Sequence, residues 1–139
     1  MSDLQRFKEA QRRDFDTALA EIKNGRKQSH WMWYIFPQIH GLGFSSMSAY
    51  YAIKDLEEAE DFLNDPYLGG NLRKISEALL ELDTNDPHRV FGSPDDLKLL
   101  SCMTLFEAAK GSGGVFTRVI EKYYKGRRDQ KTVEILGRG

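Results

Sequence analysis

What the chain has little of narrows its function first. One cysteine, Cys102, in 139 residues excludes an internal disulfide framework and fits a reducing cytoplasm. The three histidines, His30, His40 and His88, have no second His or Cys at metal-ligand spacing, so no metal is expected. Nor does the residue pattern call for a cofactor. Charge of one sign is also missing: 20 Lys and Arg against 21 Asp and Glu leave a net charge of −1. That balance removes the electrostatic drive of a general nucleic-acid binder, so nucleic acid is not an expected partner. No apolar run approaches the roughly 20 residues that span a bilayer, and the charged start from Asp3 to Arg13 does not read as a secretory signal. A membrane role is not expected.

What is present suits a folded domain. Hydrophobic residues make up 40% of the chain and aromatics 12%, too much for intrinsic disorder. A chain of 139 residues buries about two-thirds of its surface, leaving about 7,400 Å² exposed. With no repeat, no low-complexity tract and no long linker, residues 1–139 read as a single domain.

The helix signals run the length of the chain. Ser2 with Gln5 makes a capping box for a helix over residues 3–24, with Phe7, Phe15, Leu19 and Ile22 inward. Ser29 is read as the cap of a short helix over 30–36, which Pro37 ends. Residues 47–53 read as helical. Asp55 with Glu58 starts a helix over 56–63, and Asp65-Pro66 starts another bearing Leu68, Leu72, Ile75, Leu79 and Leu82. Residues 83–88 read as a polar connection. Ser93-Pro94, with Asp95 and Asp96 following, opens a helix expected to reach Lys110, and the glycines between 111 and 114 stop it. A helix over 115–124 and a last one capped by Asp129 complete the set. The expected fold is all-α: a compact single domain of about seven short helices packed at steep angles.

Two stretches do not look like plain scaffold. Residues 30–38 hold Trp31, Trp33, Tyr34 and Phe36, four aromatics in six positions. Such rings usually anchor a core, yet they also wall pockets. The helix after Pro94 is apolar on nearly every side, so its polar stripe of Lys98, Ser101 and Thr104 stands out. Hydroxyls on a buried helix can bond carbonyls one turn back. A lysine there must snorkel out, pair with a carboxylate such as Asp95, or face an anion. Cys102 beside them reads as a small inert core residue. The Gly111–114 run lacks the preceding strand and the Lys-Ser/Thr of a phosphate loop and reads as a helix stop. Basic groups at Arg26-Lys27, and at 125–128 beside Tyr123-Tyr124, read as solvated surface turns rather than RNA contacts.

The segment Ser29-His30-Trp31-Met32-Trp33-Tyr34-Ile35-Phe36-Pro37-Gln38, the Gly41-Leu42-Gly43 loop, Pro66-Tyr67-Leu68-Gly69 and Phe91-Gly92-Ser93-Pro94-Asp95-Asp96-Leu97-Lys98-Leu99 together resemble the bacterial family catalogued as domain of unknown function 1810. The resemblance spans essentially the whole chain. It implies a compact, all-helical cytoplasmic domain and no particular activity or catalytic residue.

The functional expectation therefore rests on chemistry. It places a pocket between residues 30–38 and the helix after Pro94. Trp33 and Tyr34 would offer stacking surface, His30 and Gln38 would orient polar edges, and Lys98, Ser101 and Thr104 would meet an anionic group. A small anionic or nucleotide-like metabolite suits that set. Two alternatives stay open: a protein-interaction module without a small ligand, and an enzyme of nucleotide or small-molecule metabolism using His30 as base, the side chain whose ordinary pKa suits neutral pH.

Overall fold

The computed structural model describes residues 3–138, the side chain of Arg138 apart, and among them the chain is all-helical. Its first helix, α1 (Gln5–Lys23), buries Phe7, Phe15, Leu19 and Ile22 as their spacing requires. The Ser2 cap lies outside the described residues, and the Asp3 carboxylate accepts from the Gln5 N–H at 3.0 Å. Two further helices are short: α2 (Met32–Ile35) and α3 (Ser46–Tyr50), the latter capped by Ser45, which accepts from the Ser48 N–H. Then follow α4 (Leu56–Asn64) and α5 (Pro66–Leu80), capped by Asp55 and Asp65. The chain continues through α6 (Pro87–Phe91), α7 (Asp95–Glu107), α8 (Val115–Tyr124) and α9 (Gln130–Arg138).

Two helices organise the rest. α5 packs against α1, α4 and α8, and α7 packs against α4, α6, α8 and α9. Leu99, Cys102, Met103, Leu105 and Phe106 of α7 are fully buried, so this apolar helix is central. The buried apolar side chains form one contiguous cluster, and the exposed surface is 7574 Å², as expected for a compact chain of this size. Burial raises the Cys102 thiol pKa well above its ordinary value, which leaves it protonated and inert.

The structure corrects several sequence expectations. Nine helices stand among the described residues rather than about seven. The 83–88 stretch, expected to be a polar connection throughout, enters α6 at Pro87. Asp86-Pro87 starts it as Asp65-Pro66 starts α5, the Asp86 carboxylate accepting from the His88 and Arg89 N–H groups. Ser29 caps nothing. Its hydroxyl and N–H donate to Glu21, which also accepts from the Gln28 N–H and the Trp31 indole. The 47–53 segment leaves the helix after Tyr50, and Ile53 forms a parallel bridge with Ile39. α7 begins after Pro94 with no side-chain cap and ends at Glu107, short of Lys110.

That bridge matters for the site. The Ile53 N–H donates to the Gln38 carbonyl and the His40 N–H to the Ile53 carbonyl, both at 2.8 Å. Arg6 secures the other side, donating to the Tyr50 and Ala52 carbonyls at 2.8 and 2.9 Å and pairing with Glu58 at 3.2 Å. Residues 38–40 are thus fixed to α1 through the 50–53 strap.

Candidate functional site

The 30–38 segment and the first turns of α7 meet. The Lys98 ammonium lies 5.5 Å above the centre of the Trp33 ring and 3.6 Å from the Asp95 carboxylate. Two adjoining hollows open there. One, of about 250 Å³, is lined by Trp33, Gln38, His40, Phe44 and Tyr51 among others. The second, of about 210 Å³, lies between Gln38, Pro94, Lys98, Ser101, Asp129 and Lys131. Gln38, Gly43 and Ser48 belong to both, so the hollows meet along one ridge.

The ridge is closely built. A Cβ on Gly43 would fall 2.5 Å from the Ser48 hydroxyl and 2.6 Å from the Ser48 Cβ, so only glycine lets the loop approach α3 this closely. Ser48 is itself held, its hydroxyl 2.9 Å from that of Ser45. The Gln38 carboxamide makes no hydrogen bond to protein among the described residues, whereas the Gln38 carbonyl is taken by the bridge. An unpartnered amide on the boundary of two hollows can donate and accept at once.

On the α7 side the polar groups are graded in depth. Lys98 is 25% exposed, Ser101 6% and Thr104 3%. The Ser101 hydroxyl is within reach of the Leu97 carbonyl at 3.2 Å and the Asp129 carboxylate at 3.1 Å. Asp129 caps α9, accepting from the Thr132 N–H at 3.1 Å and its hydroxyl at 2.6 Å. The Thr104 hydroxyl accepts from the Asp129 N–H at 3.0 Å, beneath the hollow and not in it.

Of the residues singled out from the sequence, Trp33, Gln38, Lys98 and Ser101 come together. His30, Tyr34 and Thr104 line neither hollow. His30 is exposed. Tyr34 turns into the core, where its hydroxyl donates to Asp14 and burial pushes its pKa up to about 12. His40, Phe44, Asp129 and Lys131 join the site without having been singled out. Phe44 alone carried a legible signal: an aromatic between Gly43 and Ser45-Ser46 has no helix to bury it, and it is fully exposed. Among the described residues no group of three or more His, Cys, Asp or Glu is placed to hold a metal ion, and no helix is long and apolar enough to cross a membrane.

Residues 1–136 match the family described as "Protein of unknown function (DUF1810)". The chain belongs to this family. Its fold is similar to the crystal structure of the conserved hypothetical protein Rv1873 from Mycobacterium tuberculosis, with 40% sequence identity, a TM-score of 0.95, and coverage of 97% of this chain and 96% of that one. No curated protein matches. Neither the DUF1810 description nor that of the mycobacterial protein names a ligand or a reaction.

Proposed function

We propose that the paired hollow around Gln38 binds a small anionic, nucleotide-like metabolite. The observation that carries this reading is the Lys98 ammonium above the Trp33 face beside an unpartnered Gln38 amide. An aromatic group finds stacking surface on Trp33 and Phe44, its polar edge meets Gln38, and its anionic end meets Lys98 and Lys131. Neither hollow alone reaches the roughly 300–1,000 Å³ usual for small-molecule sites, so the ligand uses both. No catalytic residue is proposed.

Thermal-shift measurement with ADP as probe tests this. ADP is expected to raise the melting temperature of the native chain, since a ligand selective for the folded state stabilises it. Lys98→Gln and Gln38→Leu should each weaken the shift. An ADP response unchanged in both variants, or none in the native chain, refutes the reading.

One observation favours a second reading, a protein-interaction module. Phe44 is fully exposed and Leu97 is 62% exposed, and each borders one of the hollows. Exposed apolar groups beside a groove also suit a partner chain. A melting temperature indifferent to ADP, with self-association lost in Phe44→Ser, would favour it.

A further inference from the structure

The geometry points to a second anion site, on the opposite flank of Asp95, that binds a small ligand carrying phosphoryl groups. It is independent of the Gln38 reading and shares no lining residue with that hollow.

The site is built where the α1–α2 connection runs along α6. α1 ends at Lys23, and Gly25, at φ +81°, turns the chain as only glycine does readily. The Lys27 N–H then donates to the Val90 carbonyl at 2.7 Å, joining the connection to α6. Gly92, at φ +72°, turns the chain away again. Between these turns lies a hollow of about 610 Å³, lined by Arg26, Lys27, His88 and Arg89 together with small or apolar neighbours and Asn24. No carboxylate lines it.

Its cations divide into two kinds. Lys27 is already engaged, with Asp95 at 3.0 Å, the Ser29 carbonyl at 2.6 Å, and the Trp31 ring 4.9 Å from its ammonium. His88 stands 3.6 Å from Asp96. These contacts fix the walls. Arg26 and Arg89 are exposed, and among the described residues neither guanidinium has an ion-pair, hydrogen-bond or ring partner. Asp83, which shares an adjoining hollow with Arg89, forms no ion pair with it.

Two guanidinium groups from separate segments, facing one concave space without a counter-charge, match the forked geometry of phosphoryl oxygens. A small ligand suits the hollow better than a nucleic-acid strand. The volume is that of a small-molecule pocket, and a net charge of −1 gives the chain no general attraction for a polyanionic strand.

The test is titration of the ¹⁵N-labelled chain with inorganic pyrophosphate, followed by amide shifts. Perturbations are expected at Gly25, Arg26, Arg89 and Gly92. Arg26→Gln and Arg89→Gln should each weaken binding about fivefold or more, as loss of a charge-assisted pair does. The double variant should abolish it, while Lys98→Gln leaves it intact. Because both arginines are exposed, unchanged melting temperatures will show that the variants fold. Three results would overturn the assignment: no shift at these amides, equal binding by the double variant, or a short single-stranded oligonucleotide bound more tightly than pyrophosphate through the same amides. A weakened ADP response in Lys98→Gln with pyrophosphate binding retained separates this site from the one around Gln38.

Discussion

Gly69 and Gly70 are neighbours on α5, and the same substitution to alanine should move stability in opposite directions. In a helix interior, alanine is favoured over glycine by about 1 kcal/mol, because it restricts the unfolded chain. At Gly70 nothing lies within 4 Å of an added Cβ, so that gain is expected undiminished. At Gly69 the Cβ would sit 2.0 Å from the Leu63 carbonyl oxygen and 2.8 Å from its carbon. Both are backbone atoms near the end of α4, so no rotamer change relieves the overlap. Separating them to ordinary contact requires a shift of about 1.5 Å. The only residue between α4 and α5 is Asp65, whose carboxylate accepts from the Tyr67 and Leu68 N–H groups at 3.0 Å. The movement therefore strains the cap as well as the packing. Overpacking costs about 1–3 kcal/mol and a lost cap about 1 kcal/mol more, against the propensity gain of about 1. Gly69→Ala should lose about 1–3 kcal/mol net, lowering the melting temperature by about 3–10 °C, while Gly70→Ala raises it by about 2–3 °C. Urea unfolding followed by far-ultraviolet circular dichroism reads both. If Gly69→Ala matches Gly70→Ala in stability, the close approach of α4 to α5 is wrong.

Other perturbations follow from single contacts. Burial alone would raise the Glu21 pKa, but the Ser29 hydroxyl, the Gln28 and Ser29 N–H groups and the Trp31 indole outweigh it and bring it down to about 2. A carboxyl depressed on folding stabilises the protein above its ordinary pKa and loses that effect as pH falls toward the folded value. Glu21→Gln should cost about 1–2 kcal/mol near neutrality, allowing for solvent screening, with the gap closing between about pH 5 and pH 2; a gap constant with pH refutes this. Lys122 donates to the Leu79 and Leu80 carbonyls at 3.2 and 3.0 Å and also to Leu82, closing the end of α5. Lys122→Met should lower stability by about 1–3 kcal/mol in urea unfolding, and faster hydrogen exchange should be confined to the last turn of α5. Gln11, 1% exposed, donates to the Tyr34 carbonyl at 2.8 Å and accepts from Asn71 at 3.0 Å. Gln11→Leu strands both partners, so a calorimetric loss of about 1–3 kcal/mol is expected, and a neutral result would show that water replaces the amide.

Capping chemistry was the most legible part of the sequence, because it involves neighbours in the chain. Asp55, Asp65 and Asp129 each accept from the N–H groups their positions imply. Asp86-Pro87 follows the same rule as Asp65-Pro66 but is followed only by Val90 and Phe91, too short a run for periodicity to register. Ser29 misled because its competitor, Glu21, reaches it across a turn of the fold rather than along the chain. The Ile39–Ile53 bridge was invisible for the same reason.

The site shows the same division. That Lys98 and Ser101 face the 30–38 segment followed from α7 being central, but depth along the stripe did not. Steps of three residues rotate about 60° short of a full turn, so Lys98, Ser101 and Thr104 spiral from rim to floor instead of sharing one wall. In α2, with only four residues, adjacent side chains diverge: Trp33 turns to the hollow and Tyr34 to the core.

Net charge says nothing of how charges are distributed. A balance of −1 argues against a positive surface only if charges of both signs are equally free. Here Asp55, Asp65, Asp86 and Asp129 are occupied with helix N–H groups, and Glu21 with the 28–31 turn. Asp95 is shared, pairing with Lys27 through one oxygen and Lys98 through the other. One carboxylate therefore serves two ammonium groups at the first turn of α7, which separates the two hollows, and Asp96 beside it lies 3.6 Å from His88. Arg26 and Arg89 place two guanidinium groups at the hollow on one side of that turn, and Lys131 an ammonium at the hollow on the other. Because folding ties several acids to backbone donors and leaves those cations open, a chain neutral in composition can gather cations at two concave surfaces, the uneven distribution on which both proposed anion sites rest.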